Sequence, residues 1–89
     1  MKCINLIISG KVQGVFFRDS TRKKANELGI AGYARNLSNG NVEVAAQGTE
    51  EKIKELAEFI KNNPGYSKVK EVKLKHKELG NFDGFEIKD

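Results

Sequence analysis

Several residue types that mark particular chemistries are scarce in this chain. Its 89 residues hold one cysteine (Cys3), one histidine (His76), one proline (Pro64) and no tryptophan. A single cysteine cannot close an internal disulfide. That fits a reducing compartment, and the cytoplasm is the expected location. One histidine and one cysteine supply too few ligands for the usual zinc sites, so neither a metal nor another cofactor is expected. Cys3 has no histidine near it in sequence and reads as a partly buried strand cysteine, not as a nucleophile. No apolar run is long enough to cross a membrane, and no membrane partner is expected. The start, Met1-Lys2-Cys3-Ile4, leads straight into a strand-like run without the layout of a signal peptide.

With 38% hydrophobic and 31% charged residues, the chain has the composition of a soluble globular protein. The length suits one domain, residues 1–89, around one core. No linker-like segment stands at either end, so a free-standing monomer is expected. The net charge of +4 suits anionic ligands and brings nucleic acid into consideration. The basic excess is lysine interspersed with glutamate, however, which is the pattern of an ordinary solvated surface.

The stretch Gly10-Lys11-Val12-Gln13-Gly14-Val15-Phe16-Phe17-Arg18 organises the rest. It lies between the apolar run Ile4 to Ile8 and a helically spaced segment, so it leads from a strand into a helix start. Backbone N–H groups in the first turn of a helix have no helical partners, and the helix dipole adds positive potential there. Gly10 and Gly14 allow dihedrals that turn N–H groups inward. Arg18 adds a planar fork of donors that can hold two phosphate oxygens. The stretch therefore reads as a phosphate cradle of backbone plus one arginine. Gly-rich loops after strands are common and most hold no ligand, so spacing alone does not establish it. It is neither a P-loop nor a dinucleotide fingerprint, since the glycines and the lysine fall at the wrong spacings.

In the first strand, Lys2 to Ser9, residues Ile4, Leu6 and Ile8 share one face. Phe17, Thr21, Ala25 and Leu28 place a buried stripe on a helix from about Arg18 to Leu28. Asp19 or Ser20 is expected to satisfy its first-turn N–H groups, and Gly29 to end it in a left-handed conformation. Ile30 to Leu37 and Asn41 to Gln47 flank Ser38-Asn39-Gly40, a strong hairpin signal. Thr49 suits the N-cap of a second helix, with Glu50 and Glu51 opposing its dipole and Ile53, Leu56, Ala57 and Ile60 buried. Asn63-Pro64-Gly65 ends that helix. Val72, Leu74 and His76 then alternate with Lys73, Lys75 and Lys77, as in a protected edge strand with an irregular entry near Glu71. Phe85 and Ile87 make a short last strand. The order β-α-β-β-α-β plus this strand predicts an α+β, ferredoxin-like antiparallel sandwich with both helices on one sheet face.

These residues carry a resemblance. Gly10 to Arg18 resembles the acylphosphatase signature Gly-x-Val-Gln-Gly-Val-x-Phe-Arg. The stretch Leu28 to Glu43 is similar to the family's second signature, a Gly, an aromatic, two residues, an Asn and a turn ending in Gly-x-Val-Glu. Gly48, the apolar second helix and Phe85-Glu86-Ile87 also fall where the family has them, so the resemblance spans essentially the whole chain. It implies a ferredoxin-like fold and metal-free hydrolysis of acyl phosphates to a carboxylate and phosphate, with inorganic phosphate as product or competing ligand. It implies that Arg18 binds phosphate and that Asn36 orients the attacking water, the two catalytic positions. It also implies that Gln13, Gly14, Val15, Phe16, Phe17 and Arg18 line the phosphate site.

Departures from the family are modest: Tyr33 where tryptophan is common, Pro64-Gly65 for Gly-Pro, and Ser67-x-Val69 for Ala-x-Val. They touch packing and the exit of the second helix. An alternative is a non-catalytic ferredoxin-like module that binds phosphate or RNA. RNA-recognition domains stack bases on aromatics in the central strands, and here Leu6-Ile7-Ile8 and Val42 to Ala46 carry none. Nucleic acid is therefore not the expected partner. A third possibility is a cradle domain that handles carbamoyl phosphate within a larger enzyme.

Overall fold

Five strands and two helices form among residues 1–88, the residues that the structure, a computed structural model, describes. In chain order they are β1 (Lys2–Lys11), α1 (Phe17–Glu27), β2 (Ala31–Asn36), β3 (Val42–Gly48), α2 (Glu50–Lys61), β4 (Lys68–Lys77) and β5 (Phe85–Lys88). The sheet order is β4-β1-β3-β2-β5. The four strands of the ferredoxin-like sandwich pair antiparallel, and β5 adds to β2 in parallel, which makes the sheet mixed.

Alternation along the strands decides which face is buried. Ile4, Leu6 and Ile8 of β1 meet Ala46, Val44 and Val42 of β3 in register, and all six are fully buried. Phe17 and Ala25 of α1, and Ile53, Leu56 and Ile60 of α2, close over that layer. Fully burying a side chain of this size contributes about 1.5–3 kcal/mol each, which makes this layer the main source of stability. The opposite face is more open, with β4 exposed along most of its length.

Cys3, on the open face, is fully buried rather than partly so. Its cross-strand partner Gln47 donates to the Gly80 carbonyl at 3.2 Å and accepts from the Gly80 N–H at 2.8 Å. Phe82 meets Tyr33 at 6.2 Å between ring centroids. The segment leading into β5 thus covers this end of the face.

The β1–β4 register slips between Ser9 and Gly10, whose partners are Glu71 and Val69, so the irregularity expected near Glu71 is present. Here Gly10 departs from its expected role. It belongs to β1, at φ 119°, and a Cβ on it would come within 2.2 Å of the Lys68 carbonyl oxygen. Residue 10 is glycine because β4 approaches it, not because it shapes the cradle. The hairpin turn forms as expected, with Leu37 N–H donating to Asn41 O at 2.8 Å. Thr49 caps α2 by accepting from Lys52 N–H at 3.3 Å.

Candidate functional site

The cradle is held from inside and open outside. Val12, Val15 and Phe17 are buried in the core, so the chain between β1 and α1 is anchored at three points. Between them Gly14 and Phe16 turn outward, at φ 72° and φ 62°. A Cβ on Gly14 would meet nothing within 4 Å, so glycine is needed there for its dihedral and not for space. Phe16 is the N-cap of α1 in a left-handed conformation, and no side chain caps the helix.

That last point corrects the expectation for Asp19 and Ser20. Asp19 pairs with Arg22 at 3.2 Å instead, and Ser20 contributes its own N–H, to Phe16 O, as the first helical bond. The N–H groups of Phe17, Arg18 and Asp19 precede that bond and have no helical partner. A capping side chain would have occupied those donors. They sit at the positive end of the α1 dipole.

A cleft of about 300 Å³ opens at this point, lined by Val12, Gly14, Phe16, Phe17, Arg18, Asp19 and Ile87. Nη1 of Arg18 donates to the Lys88 carbonyl at 3.3 Å, which ties the guanidinium to the end of β5. It is the one side-chain bond of Arg18 among the described residues, so most of its five donors remain for a ligand. Asp19 is the one carboxylate in the lining, and its pairing with Arg22 offsets its repulsion of an anion.

Asn36 is the last residue of β2 and pairs with Val42, which pairs with Ile8. These three residues form one row across the helix-covered face, at the end of β1 from which the cradle departs. β5 brings Lys88 beside Arg35 in the same corner. Sheet register therefore places Asn36, the cradle and Arg18 at one corner of the molecule. The Asn36 Oδ1 is buried and accepts no hydrogen bond among the described residues. An unpaired buried acceptor costs about 1–3 kcal/mol.

Gln13 and Val15 take indirect parts. The Val15 side chain is in the core. The Gln13 amide donates to Leu37 O at 2.8 Å and to Asn41 O at 2.9 Å, clamping the cradle to the β2–β3 hairpin next to Asn36. Both residues can meet a ligand only through backbone. The sequence carried no signal for this clamp or for Ile87 in the lining, because both depend on which strands become neighbours.

A second polar cluster lies on the open face. Glu43 accepts from Asn5 at 3.0 Å and from Tyr33 at 3.4 Å, and pairs with Arg35. Burial pushes its carboxyl up, but the hydrogen bonds from Asn5 and Arg35 and the Arg35 charge outweigh this, and its pKa is lowered. Burial and the Glu43 charge together raise Tyr33 above its ordinary value. The cluster braces β1, β3 and β2. Among the described residues, no three His, Cys, Asp or Glu side chains come together to hold a metal ion. Among the described residues, no helix is long and apolar enough to cross a membrane.

Fold and site together define a ferredoxin-like α+β sandwich with a cleft at an uncapped helix start beside Arg18. Residues 4–87 match the acylphosphatase family model. An acylphosphatase of Acaryochloris marina is 45% identical over 96% of this chain and 91% of its own length. The crystal structure of acylphosphatase from Bacillus subtilis superposes with a TM-score of 0.96 at 31% identity, covering all of both chains. An acylphosphatase structure from Coxiella burnetii gives 0.92 at 40% identity, covering 98% of this chain and 92% of that one. The chain belongs to the acylphosphatase family, and membership supports an acyl phosphate hydrolase activity.

Proposed function

We propose that this protein hydrolyses acyl phosphates without a metal, with Arg18 and the cradle holding the phosphate and Asn36 orienting the water. The observation that carries this reading is the uncapped start of α1 beside Arg18, at the same sheet corner as the unpaired Asn36 Oδ1. Backbone N–H groups of the 13–18 stretch and the Arg18 fork face the phosphoryl oxygens. They stabilise the charge that builds there in the transition state.

The substrate is an activated anhydride, so positioning and charge neutralisation suffice. The water oxygen bonds to phosphorus, and the bond from phosphorus to the acyl oxygen breaks. The carboxylate leaves, and the water's proton passes to a phosphate oxygen. Asn36 has no useful pKa, so its amide orients the water by accepting one of its hydrogens. The chain acts as a single domain and a monomer in the cytoplasm, on a small-molecule substrate, with no nucleic acid or membrane partner.

The test is hydrolysis of benzoyl phosphate with a chelator present. Wild type should turn over, and Asn36→Ala should lose about 100-fold or more in kcat while inhibition by inorganic phosphate is unchanged. Equal losses of binding and rate would remove the water-orienting role. No turnover by folded wild type would leave a phosphate-binding module.

A further inference from the structure

Two aromatic side chains stand in solvent at the lip of the cleft. Phe16 is 63% exposed and Tyr66 is 77% exposed. Their rings meet edge to face, with centroids 6.0 Å apart. Apolar surface left in water is unfavourable, and neighbouring exposed aromatics mark a contact surface. The core does not use this pair, and a phosphate group gains nothing from it.

Backbone geometry holds both residues in place. Phe16 adopts its left-handed conformation between the buried Val15 and Phe17, which fixes its ring outward. Tyr66 comes from the loop after α2, distant in sequence, yet its N–H donates to the Val15 carbonyl at 2.9 Å. The loop backbone lies so near the cradle that a Cβ on Gly65 would come within 2.7 Å of the same oxygen. Tyr66 is thus registered against the residue beside Phe16. Phe16 also lines the cleft, so one apolar wall runs from the cradle out to Tyr66.

With its phosphate on the α1 N–H groups and Arg18, an acyl phosphate has to direct its acyl end out of the cradle, past this wall. We propose that Phe16 and Tyr66 form an acyl-binding platform, and that the preferred substrates are acyl phosphates with an aromatic or large apolar acyl group. This rests on the hydrolase reading above. Aromatic rings pair well edge to face or offset, and a ring on the substrate extends the existing pair. The contact is remote from the reacting bond and equal in ground and transition states. Its loss therefore appears in KM rather than kcat.

The experiment compares benzoyl phosphate with acetyl phosphate on wild type, Tyr66→Ala and Tyr66→Phe. Expressing each variant relative to wild type removes the difference in intrinsic reactivity between the substrates. Tyr66→Ala should lose about tenfold in kcat/KM on benzoyl phosphate, through KM, at the low end for an apolar pocket because the surface is open. Acetyl phosphate turnover and inhibition by inorganic phosphate should stay within about twofold, and Tyr66→Phe should behave as wild type, because the ring makes the contact. A Tyr66→Ala that loses equally on both substrates, or on neither, overturns the platform and leaves the hydrolase. A folded wild type that hydrolyses neither substrate overturns the hydrolase and the platform with it.

Discussion

Gly14 shows how much a single residue decides in the cradle. A Cβ there meets no atom within 4 Å, so any cost of substitution is conformational. At φ 72° a β-branched residue is disfavoured. Gly14→Val should cost about 1–2 kcal/mol in thermal unfolding and weaken inhibition by phosphate. Unchanged values would mean that the loop is not held at this dihedral. Glu43 is decided by its partners in the same way, on the opposite face of the sheet. Its lowered pKa means that the folded protein binds the Glu43 proton more weakly than the unfolded chain does. Its contribution is therefore present above the ordinary carboxylate value of 4.5 and lost as pH falls through the lower folded value. Glu43→Gln should cost about 1 kcal/mol at pH 7, and the difference from wild type should shrink in acid. A difference independent of pH would rule out the ionised carboxylate as the source.

At the scale of elements, the loop before α1 is tied to the hairpin between β2 and β3. Gln13 fixes the loop to the hairpin that carries Asn36, with bonds to Leu37 and Asn41. Gln13→Ala should lower kcat about tenfold by loosening Asn36, with a smaller effect on phosphate inhibition. A loss confined to phosphate affinity would show that Gln13 shapes the cradle and not the corner. Local patterns announced most of the elements themselves. Ile4, Leu6 and Ile8 at period two, Thr49 before Glu50 and Glu51, and Asn39-Gly40 each carry their signal within a few residues, and each element formed where expected. What failed to show were the long-range meetings. The approach of β4 to Gly10, the cover over Cys3 and the Gln13 clamp depend on partners far along the chain. The cap was misjudged for a related reason. Asp19 is a good capping type, but Phe16 occupies the N-cap position in a left-handed turn, and Asp19 falls inside the helix.

For the whole molecule, the sheet order is what creates the site. Placing β1 beside β3, and β3 beside β2, sets the start of the cradle and Asn36 in one row, and β5 then carries Lys88 up to Arg18. Arg18 was a candidate from the strand–loop–helix pattern, though that pattern does not establish its role. Asn36 was not, because nothing in its local sequence separates it from an ordinary strand-end asparagine, and only the resemblance to a family singled it out. The structure adds its unpaired oxygen at the same corner. In the proposed reaction Arg18 both binds phosphate and stabilises the transition state. The measurement that tests this most directly is benzoyl phosphate hydrolysis by wild type and by folded Arg18→Ala, with chelator present, alongside inhibition by inorganic phosphate. The expected result is turnover by wild type, a loss of about 1,000-fold or more in kcat/KM for the variant, and weakened phosphate inhibition in parallel. Phosphate inhibition retained in Arg18→Ala would contradict the cradle role of the guanidinium, and retained turnover would contradict its part in catalysis.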